Sequence, residues 1–273
     1  MNKSSFCRLI AFDCKRGFRE NLLKWGVAAF LFAFLTNVTI KNCLIHHEEM
    51  GYLGYLTYLF QGMPEYIKSE TSIFELPVCW FLYYAYLFFL TGFYPISDLY
   101  GYGMKTLLSS GNRKQWMTSK YLWIAINIIF YFFLMLLVLF ISTVLIGRFA
   151  TSPEAMNEVF EMEVKSITSL QMIAVWIVLP VLISISIAFM QFTITIYLNS
   201  LAGYTASVIL LVTSVYWMKP FLIGNYLMLI RNELVREGGM KLVYGIAACL
   251  IVSFLSMALG YYHFDRKDIY GSF

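Results

Sequence analysis

Long stretches without a charged side chain dominate the chain and mark candidate membrane spans. They lie at 25–40, 76–97, 121–147, 166–218 and 242–264. An ionised side chain at the centre of a bilayer costs about 3 kcal/mol, whereas Leu, Ile, Phe and Val are favourable there. Because a spanning helix needs about 20 residues, the longest stretch must hold two helices, and Asn199, Ser200 and Gly203 supply the turn between them.

The pattern therefore predicts an all-α integral membrane protein with six transmembrane helices in a single domain, 1–273. The predicted limits of spans 1 to 6 are about 24–42, 76–98, 121–147, 170–198, 202–222 and 242–264. Two further apolar segments, Tyr52 to Phe60 and Phe221 to Ile230, are too short to cross, and we expect re-entrant or interfacial helices there.

Composition excludes a soluble globule. Hydrophobic residues make up 60% of the chain and charged residues only 13%, about half the share usual in soluble domains. The net charge of +4 is too small to suggest a nucleic-acid partner, so the placement of the charges carries more information than their sum.

Six spans put both termini on one side of the membrane, and positive charge predicts which side. The loops on the side of the termini hold 12 Lys and Arg residues, and those on the other side hold 8. Because Lys and Arg are enriched in cytoplasmic loops, we expect both termini of this multi-pass protein to be cytoplasmic.

The first 24 residues are predicted to form an amphipathic helix at the membrane interface. Apolar residues such as Phe6 and Leu9 alternate there with six basic residues, and Asp13 interrupts the apolar stripe. Two interpretations stay open: a basic membrane anchor, or a contact surface for a cytoplasmic partner.

Several catalytic motifs are missing from the sequence. There is no Gly-x-x-x-x-Gly-Lys-Ser/Thr phosphate loop, so we expect the chain not to be an enzyme and to bind no cofactor itself. The group His46 to Glu49 favours a solvated loop over a metal site, because adjacent helical residues point in different directions. The predicted span cores lack Asp, Glu, Lys and Arg, which weakens ion-coupled transport.

The loop after span 2, 98–120, is long and basic for a simple turn. Its Gly101-x-Gly103, its Ser110-Gly111-Asn112-Arg113 and its approach to span 3 through Trp116 resemble the cytoplasmic loop of ABC-2-type transporter permeases. The ending from Tyr261 to Ile269, aromatic residues followed by Asp-Arg-Lys-Asp, is similar to the ending of many such permeases. Together with the six spans and the leading helix, the resemblance covers essentially the whole chain.

The resemblance implies a permease subunit that pairs with an identical or different second permease and with two ATP-binding subunits, which hold the ATP and Mg. Most permeases of this family export their substrate. The most similar ones are peptide-exporting or antimicrobial peptide immunity permeases of bacteria, which implies a location in the bacterial plasma membrane. The implied substrate is a peptide, a lipid or a drug-like amphipathic molecule. The implied ATPase-coupling residues are Asp98, Gly101, Gly103, Met104, Lys105, Leu107, Leu108, Gly111, Arg113, Arg8, Arg16 and Arg19. The alternatives are an immunity or sensor protein that binds a peptide without transport, and an ion-coupled secondary carrier.

A substrate pathway must be sought among polar and aromatic residues of the spans. In span 4, Ser184, Gln191 and Thr195 share one helical face, which favours helix packing over a pathway. In span 2, Tyr83, Tyr84 and Tyr86 belong to an aromatic wall that would either line a cavity or face lipid. These six are the candidate pathway residues.

Overall fold

The computed structural model describes residues 3–46, 50–68, 74–101, 103–104, 107, 113–147 and 168–266. Over these ranges the chain is mainly helical, which confirms the all-α prediction. Five helical stretches in them are long and apolar enough to cross a membrane: Leu22–Leu44, Val78–Leu99, Arg113–Ile146, Leu170–Tyr197 and Leu242–Arg266. They correspond to predicted spans 1, 2, 3, 4 and 6 and identify a multi-pass membrane protein.

The predicted fifth span corresponds to a shorter apolar helix, Ser200–Tyr216. Its 17 residues give a length of about 25 Å at 1.5 Å per residue, which is less than the roughly 30 Å of a bilayer's hydrocarbon core. Its crossing of the membrane, and with it the count of six spans, stays a prediction.

The described helices are numbered in chain order. The N-terminal half contains α1 (Lys3–Glu20), α2 (Leu22–His46), α3 (Tyr52–Phe60), α4 (Val78–Gly92), α5 (Tyr94–Leu99) and α6 (Arg113–Ile146). The C-terminal half contains α7 (Ser169–Ile173), α8 (Leu179–Tyr197), α9 (Ser200–Tyr216) and α10 (Leu242–Arg266), with two 3₁₀ turns, Ile223–Leu227 and Leu229–Arg231, before α10.

Local sequence explains where these helices begin. The Thr168 hydroxyl and the Gln171 side chain form a capping box at the start of α7. A π-helical turn, Ala174–Val178, joins α7 to α8 just before Pro180, which has no N–H to continue the helical ladder. The predicted turn before α9 is confirmed, because the Asn199 side chain caps α9 by accepting from the Ala202 N–H at 2.7 Å.

The first two helices are nearly continuous. Only Asn21 separates α1 from α2, and helical hydrogen bonds continue across it: the Asn21 N–H donates to the Gly17 carbonyl at 3.1 Å and the Trp25 N–H to the Asn21 carbonyl at 2.9 Å. The predicted N-terminal helix is therefore present and directly precedes span 1. Its location at a membrane interface stays a prediction.

Contacts between helix termini define two ends of the bundle. At one end, which we call the α1 end, Lys120 of α6 contacts Asp13 of α1, and Arg113 at the start of α6 contacts the end of α10 at Phe264. At the other, which we call the Arg231 end, Arg231 joins the end of α9 to the segment after α3. The N-terminal helix and the end of α10 thus lie at the same end, while the side of the membrane that it faces stays a prediction.

A buried arginine organises the Arg231 end. Its guanidinium donates to the carbonyls of Met63, Pro64, Ser214 and Val215 and to the Asn225 side chain. Burial lowers its pKa to about 10, so Arg231 remains charged at neutral pH. The two apolar segments predicted to be short helices lie close to these contacts along the chain: Tyr52–Phe60 forms α3, which is largely buried, and the segment from Phe221 forms the 3₁₀ turns.

Helix α8 is at the centre of the bundle and packs against α4, α6, α9 and α10. The Gln191 amide of α8 donates to the Phe88 carbonyl of α4 at 2.9 Å and accepts from the Ser207 hydroxyl of α9 at 3.2 Å. On another face, the Ser186 hydroxyl lies 2.8 Å from that of Ser253 on α10. Polar residues of span 4 therefore join helices, which agrees with the packing interpretation.

Candidate functional site

Helix α1 has a buried face that carries an acidic residue. Asp13, Gly17 and Asn21 recur every four residues and are buried against the start of α6. Gly17 makes this approach possible, because a Cβ at that position would lie 2.7 Å from Cε2 of Trp123. The close contact of α1 with α6 brings the Asp13 carboxylate to Lys120.

Lys120 is the centre of a buried ion cluster, which we define as Asp13, Arg16, Asp98, Ser119 and Lys120. The Lys120 ammonium lies 2.8 Å from Asp13 Oδ1 and 2.7 Å from Asp98 Oδ2. The Ser119 hydroxyl donates to Asp13 Oδ2 at 2.7 Å, and the Arg16 guanidinium lies 3.7 Å from Asp98 Oδ1. Side chains of Lys120, Asp13 and Asp98 are 0%, 2% and 2% exposed.

The chain reaches this cluster through the segment after α4. Asp98 lies in the last turn of α5, a short helix with Pro95 in its first turn. Beyond it the backbone folds closely over the carboxylate: a Cβ at Gly103 would clash with Asp98 Oδ2, and one at Gly101 would lie 3.2 Å from the Ser97 carbonyl. The Gly-x-Gly pair therefore has a steric role in this structure.

The cluster is balanced in charge, with two carboxylates against one ammonium and one guanidinium. Removing such groups from water costs several kcal/mol for each ion, and their mutual attraction offsets that cost only when the geometry is good. Each carboxylate is within 2.8 Å of the ammonium, and Ser119 satisfies a further lone pair of Asp13. The cluster therefore links α1, α5 and α6 at a fixed geometry and would be strongly destabilised by loss of one member.

A second contact at the α1 end joins α6 to α10. The Arg113 guanidinium donates to the last carbonyls of α10, those of Phe264 at 3.0 Å and Asp265 at 2.9 Å, where positive charge is favourable. The Trp116 ring stacks on Phe264 with centroids 5.0 Å apart. Arg113, the last residue of the Ser-Gly-Asn-Arg motif, and Phe264, in the aromatic ending, are therefore adjacent in space although they were identified separately in the sequence.

The predicted coupling residues fall into three groups. Asp98, Gly101, Gly103 and Arg16 come together at the ion cluster. Met104 is half-buried and Leu107 is buried, Arg113 contacts α10, and Arg8 and Arg19 are exposed on α1. Lys105, Leu108 and Gly111 lie outside the described residues. A coupling role for the whole set stays a prediction.

The predicted pathway residues of span 2 face the interior of the bundle. Tyr83 and Tyr84 are fully buried in an aromatic cluster, and the Tyr86 hydroxyl donates to the Lys24 carbonyl of α2 at 2.7 Å. Other rings that contact this cluster belong to Phe32, Phe60, Trp80, Tyr131 and Phe132. Tyr83 and Tyr84 therefore do not face lipid.

The predicted pathway residues of span 4 are buried as well. The Ser184 hydroxyl donates to the Pro180 carbonyl of its own helix at 2.7 Å, and Gln191 is engaged with α4 and α9. Thr195 also lines a cleft of about 450 Å³ at the α1 end, together with Tyr100 and Asn199. A substrate route along these side chains stays a prediction.

Sequence reasoning missed Asp13 and Lys120 as partners. In the sequence pattern, Asp13 only interrupts the apolar stripe of the leading helix, and Lys120 is only the last residue of the basic loop 98–120. The available signal was that an acidic residue on an otherwise apolar helical face requires a cation when that face is buried. The sequence does not say which cation, since 107 positions separate the two residues.

No metal centre is formed by the described part of the chain, where no three His, Cys, Asp or Glu side chains gather closely enough to hold an ion. The two carboxylates of the ion cluster are instead neutralised by Lys120 and Arg16. The chemistry available at this site is therefore electrostatic linkage of helices.

A protein-family model matches most of the chain. The model of a protein family of unknown function, DUF2705, matches residues 30–270. The chain belongs to this family. Asp98 and Lys120 fall within the part of the chain matched by DUF2705, whereas Asp13 and Arg16 precede it. The comparisons with curated proteins and with solved structures gave no match.

Proposed function

We propose that this chain is the transmembrane subunit of an ABC exporter of the bacterial plasma membrane, with both termini in the cytoplasm. It works with a second permease subunit and with two ATP-binding subunits that hydrolyse ATP. The substrate is a peptide, a lipid or a drug-like amphipathic molecule. The α1 end of the bundle faces these ATP-binding subunits, and coupling occurs through the loop after span 2.

The observation that supports this proposal is the buried ion cluster. Because the chain has no phosphate loop, we infer that another subunit hydrolyses the ATP that drives transport. The force from that subunit must then act on a surface that is attached to the membrane-spanning helices. Asp98, in the segment after α4, and Asp13, in α1, each lie within 2.8 Å of the Lys120 ammonium in α6. A displacement of the segment after α4 is therefore passed directly to spans 1 and 3.

The contact of Arg113 with α10 supports the same proposal. Because Arg113 donates to the last carbonyls of α10, the predicted coupling loop, which contains it, is attached to span 6 as well. Motion at one cytoplasmic surface would then reach three spans through short, charge-assisted contacts.

The test is an ATPase assay of the reconstituted complex. The tagged full chain is purified with its ATP-binding partner, and substrate-stimulated ATP hydrolysis is measured with Met104→Asp, which puts a charge into the coupling loop. We expect a several-fold loss of stimulation with the partner still bound. The matched control is Ile67→Asp, which is exposed after α3 and should leave stimulation unchanged.

Two results would overturn the proposal. One is the absence of any phosphate-loop ATPase in complexes purified from the native host. The other is uphill transport by the purified chain alone in liposomes on a proton or sodium gradient, which would identify a secondary carrier.

A further inference from the structure

The outward face of α1 forms a basic groove. Four residues share one side of the helix, because they are spaced at steps of three, one and three along the chain: Phe12, Lys15, Arg16 and Arg19. Together with Glu20 they line a cleft of about 660 Å³, a size typical of sites for small molecules. Lys15 and Arg19 lie on the side of α1 away from Asp13 and Gly17, whereas Arg16 lies at the edge of the groove and also contacts the ion cluster through Asp98.

Two cations in the groove are available to a ligand. Glu20 is paired with Arg16 at 2.6 Å, and Arg16 also lies beside Asp98. Lys15 and Arg19 are exposed, and neither forms an ion pair with any residue in the described ranges. The groove therefore presents two positive charges, one helical turn apart, beside the apolar ring of Phe12.

Contacts with α6 fix the depth of this groove. Asp13 meets Lys120, and Gly17 lies against the Trp123 ring. The charge-free stretch of α6 begins at residue 121, so the groove is level with the boundary between the polar and apolar parts of that helix. In a bilayer, this boundary coincides with the headgroup layer.

Apolar residues continue from the groove toward the membrane core. Leu22 and Leu23, at the start of α2, are 66% and 84% exposed. An acyl chain would cover these side chains, whereas a soluble acidic protein would leave them in contact with its polar surface. Basic residues beside exposed Leu and Phe at the interface are the combination that anionic lipids bind.

We propose that this groove binds the headgroup of an anionic phospholipid, with Lys15 and Arg19 on the phosphate and Phe12, Leu22 and Leu23 along the upper acyl chain. The site requires only that the chain is in a membrane, so it is independent of the proposed export function. It gives α1 two distinct faces: one fixed to α6 by the ion cluster, and one that binds lipid.

The experiment is a lipid titration of the purified full chain in a non-ionic detergent, read by native mass spectrometry. Phosphatidylglycerol is compared with phosphatidylcholine, with inorganic phosphate and with an acidic peptide. Lys15→Gln/Arg19→Gln should weaken phosphatidylglycerol binding about 25-fold, from about fivefold for each basic residue near an anionic surface. Lys15→Arg/Arg19→Lys should retain binding, because it keeps both charges.

The matched control is Arg236→Gln/Lys241→Gln, which removes two exposed charges at the Arg231 end and should leave binding unchanged. Both neutralised variants alter exposed residues, and their elution and Trp fluorescence establish that they fold. Equal affinity of the wild type for the two lipids overturns the proposal. An equal loss of phosphatidylglycerol affinity in both neutralised variants also overturns it. The same holds if phosphate or the peptide binds saturably while phosphatidylglycerol shows no selective binding.

Discussion

Lys120 offers the sharpest test of the buried ion cluster. Lys120→Met keeps most of the side-chain volume but removes the ammonium, which leaves Asp13 and Asp98 buried with Arg16 as the remaining cation of the cluster. Two charge-assisted hydrogen bonds are lost, at about 1.5–3 kcal/mol each, and breaking a buried pair from one side costs about 3–5 kcal/mol. We therefore expect the free energy of unfolding to fall by about 4 kcal/mol.

The assay is unfolding of the purified chain in mixed micelles by titration with SDS, followed by Trp fluorescence. The control is Lys114→Met on the same helix, whose ammonium lies 4.0 Å from Asp265 and whose side chain is 72% exposed. Exposed pairs contribute about 0–1 kcal/mol, so this variant should unfold nearly like the wild type.

A triple variant separates charge balance from packing. Asp13→Asn/Asp98→Asn/Lys120→Met removes all three closely paired charges, and Arg16 keeps Glu20 as its partner. Because replacing a whole buried ion group is often neutral, stability should return to within about 1–2 kcal/mol of the wild type. A small effect of Lys120→Met alone, or a triple variant less stable than the single one, would refute this account of the cluster.

Three further predictions concern other contacts and use the same unfolding assay. Gly17→Ala should destabilise the chain by about 1–3 kcal/mol, because the new Cβ would meet the buried Trp123 ring. The control is Gly26→Ala, which has open space around it and should be neutral or stabilising. Equal effects of the two substitutions would contradict the close approach of α1 to α6. Arg231→Gln should lower the free energy of unfolding by about 3 kcal/mol, because buried carbonyls lose their donors. Arg236→Gln, at an exposed position, should leave it unchanged. Similar stability of the two variants would argue that the Arg231 guanidinium does not organise this end of the bundle. Gln191→Leu should lower the free energy of unfolding by about 0.6–2 kcal/mol, because the Gln191 side chain joins helices. In the reconstituted complex, the same variant should leave substrate-stimulated ATPase activity unchanged. A changed response to substrate would instead place Gln191 on a substrate pathway.

The spans could be predicted because one free-energy term, the cost of placing an ionised side chain in the bilayer core, dominates their sequence pattern. The charge-free stretches, with the turn at Asn199, predict span 1 at about 24–42 and span 4 at about 170–198, and the structure has Leu22–Leu44 and Leu170–Tyr197. The turn at Asn199 was equally predictable, because a capping side chain acts on its own helix. Such features depend on neighbouring residues, which the sequence displays directly.

The candidate site was predicted in part, because its members are distant in sequence. The loop containing Asp98 was singled out by its glycines and its basic composition, but nothing in that composition identifies Lys120 as the partner of both Asp13 and Asp98. Such pairing depends on which helix faces meet, and that follows from steric details such as the absence of a Cβ at Gly17. The Arg231 contacts were unpredictable for the same reason, since most of its acceptors are backbone carbonyls.

The hydrogen bonding across Asn21 has a mechanical consequence. Helix α1 ends at Glu20 and α2 begins at Leu22, so a single residue separates them and no loop is present to absorb a twist. A torque applied to the exposed residues of α1 would therefore reach the first membrane segment directly. A lever of this kind would carry a signal across the bilayer without any change in secondary structure.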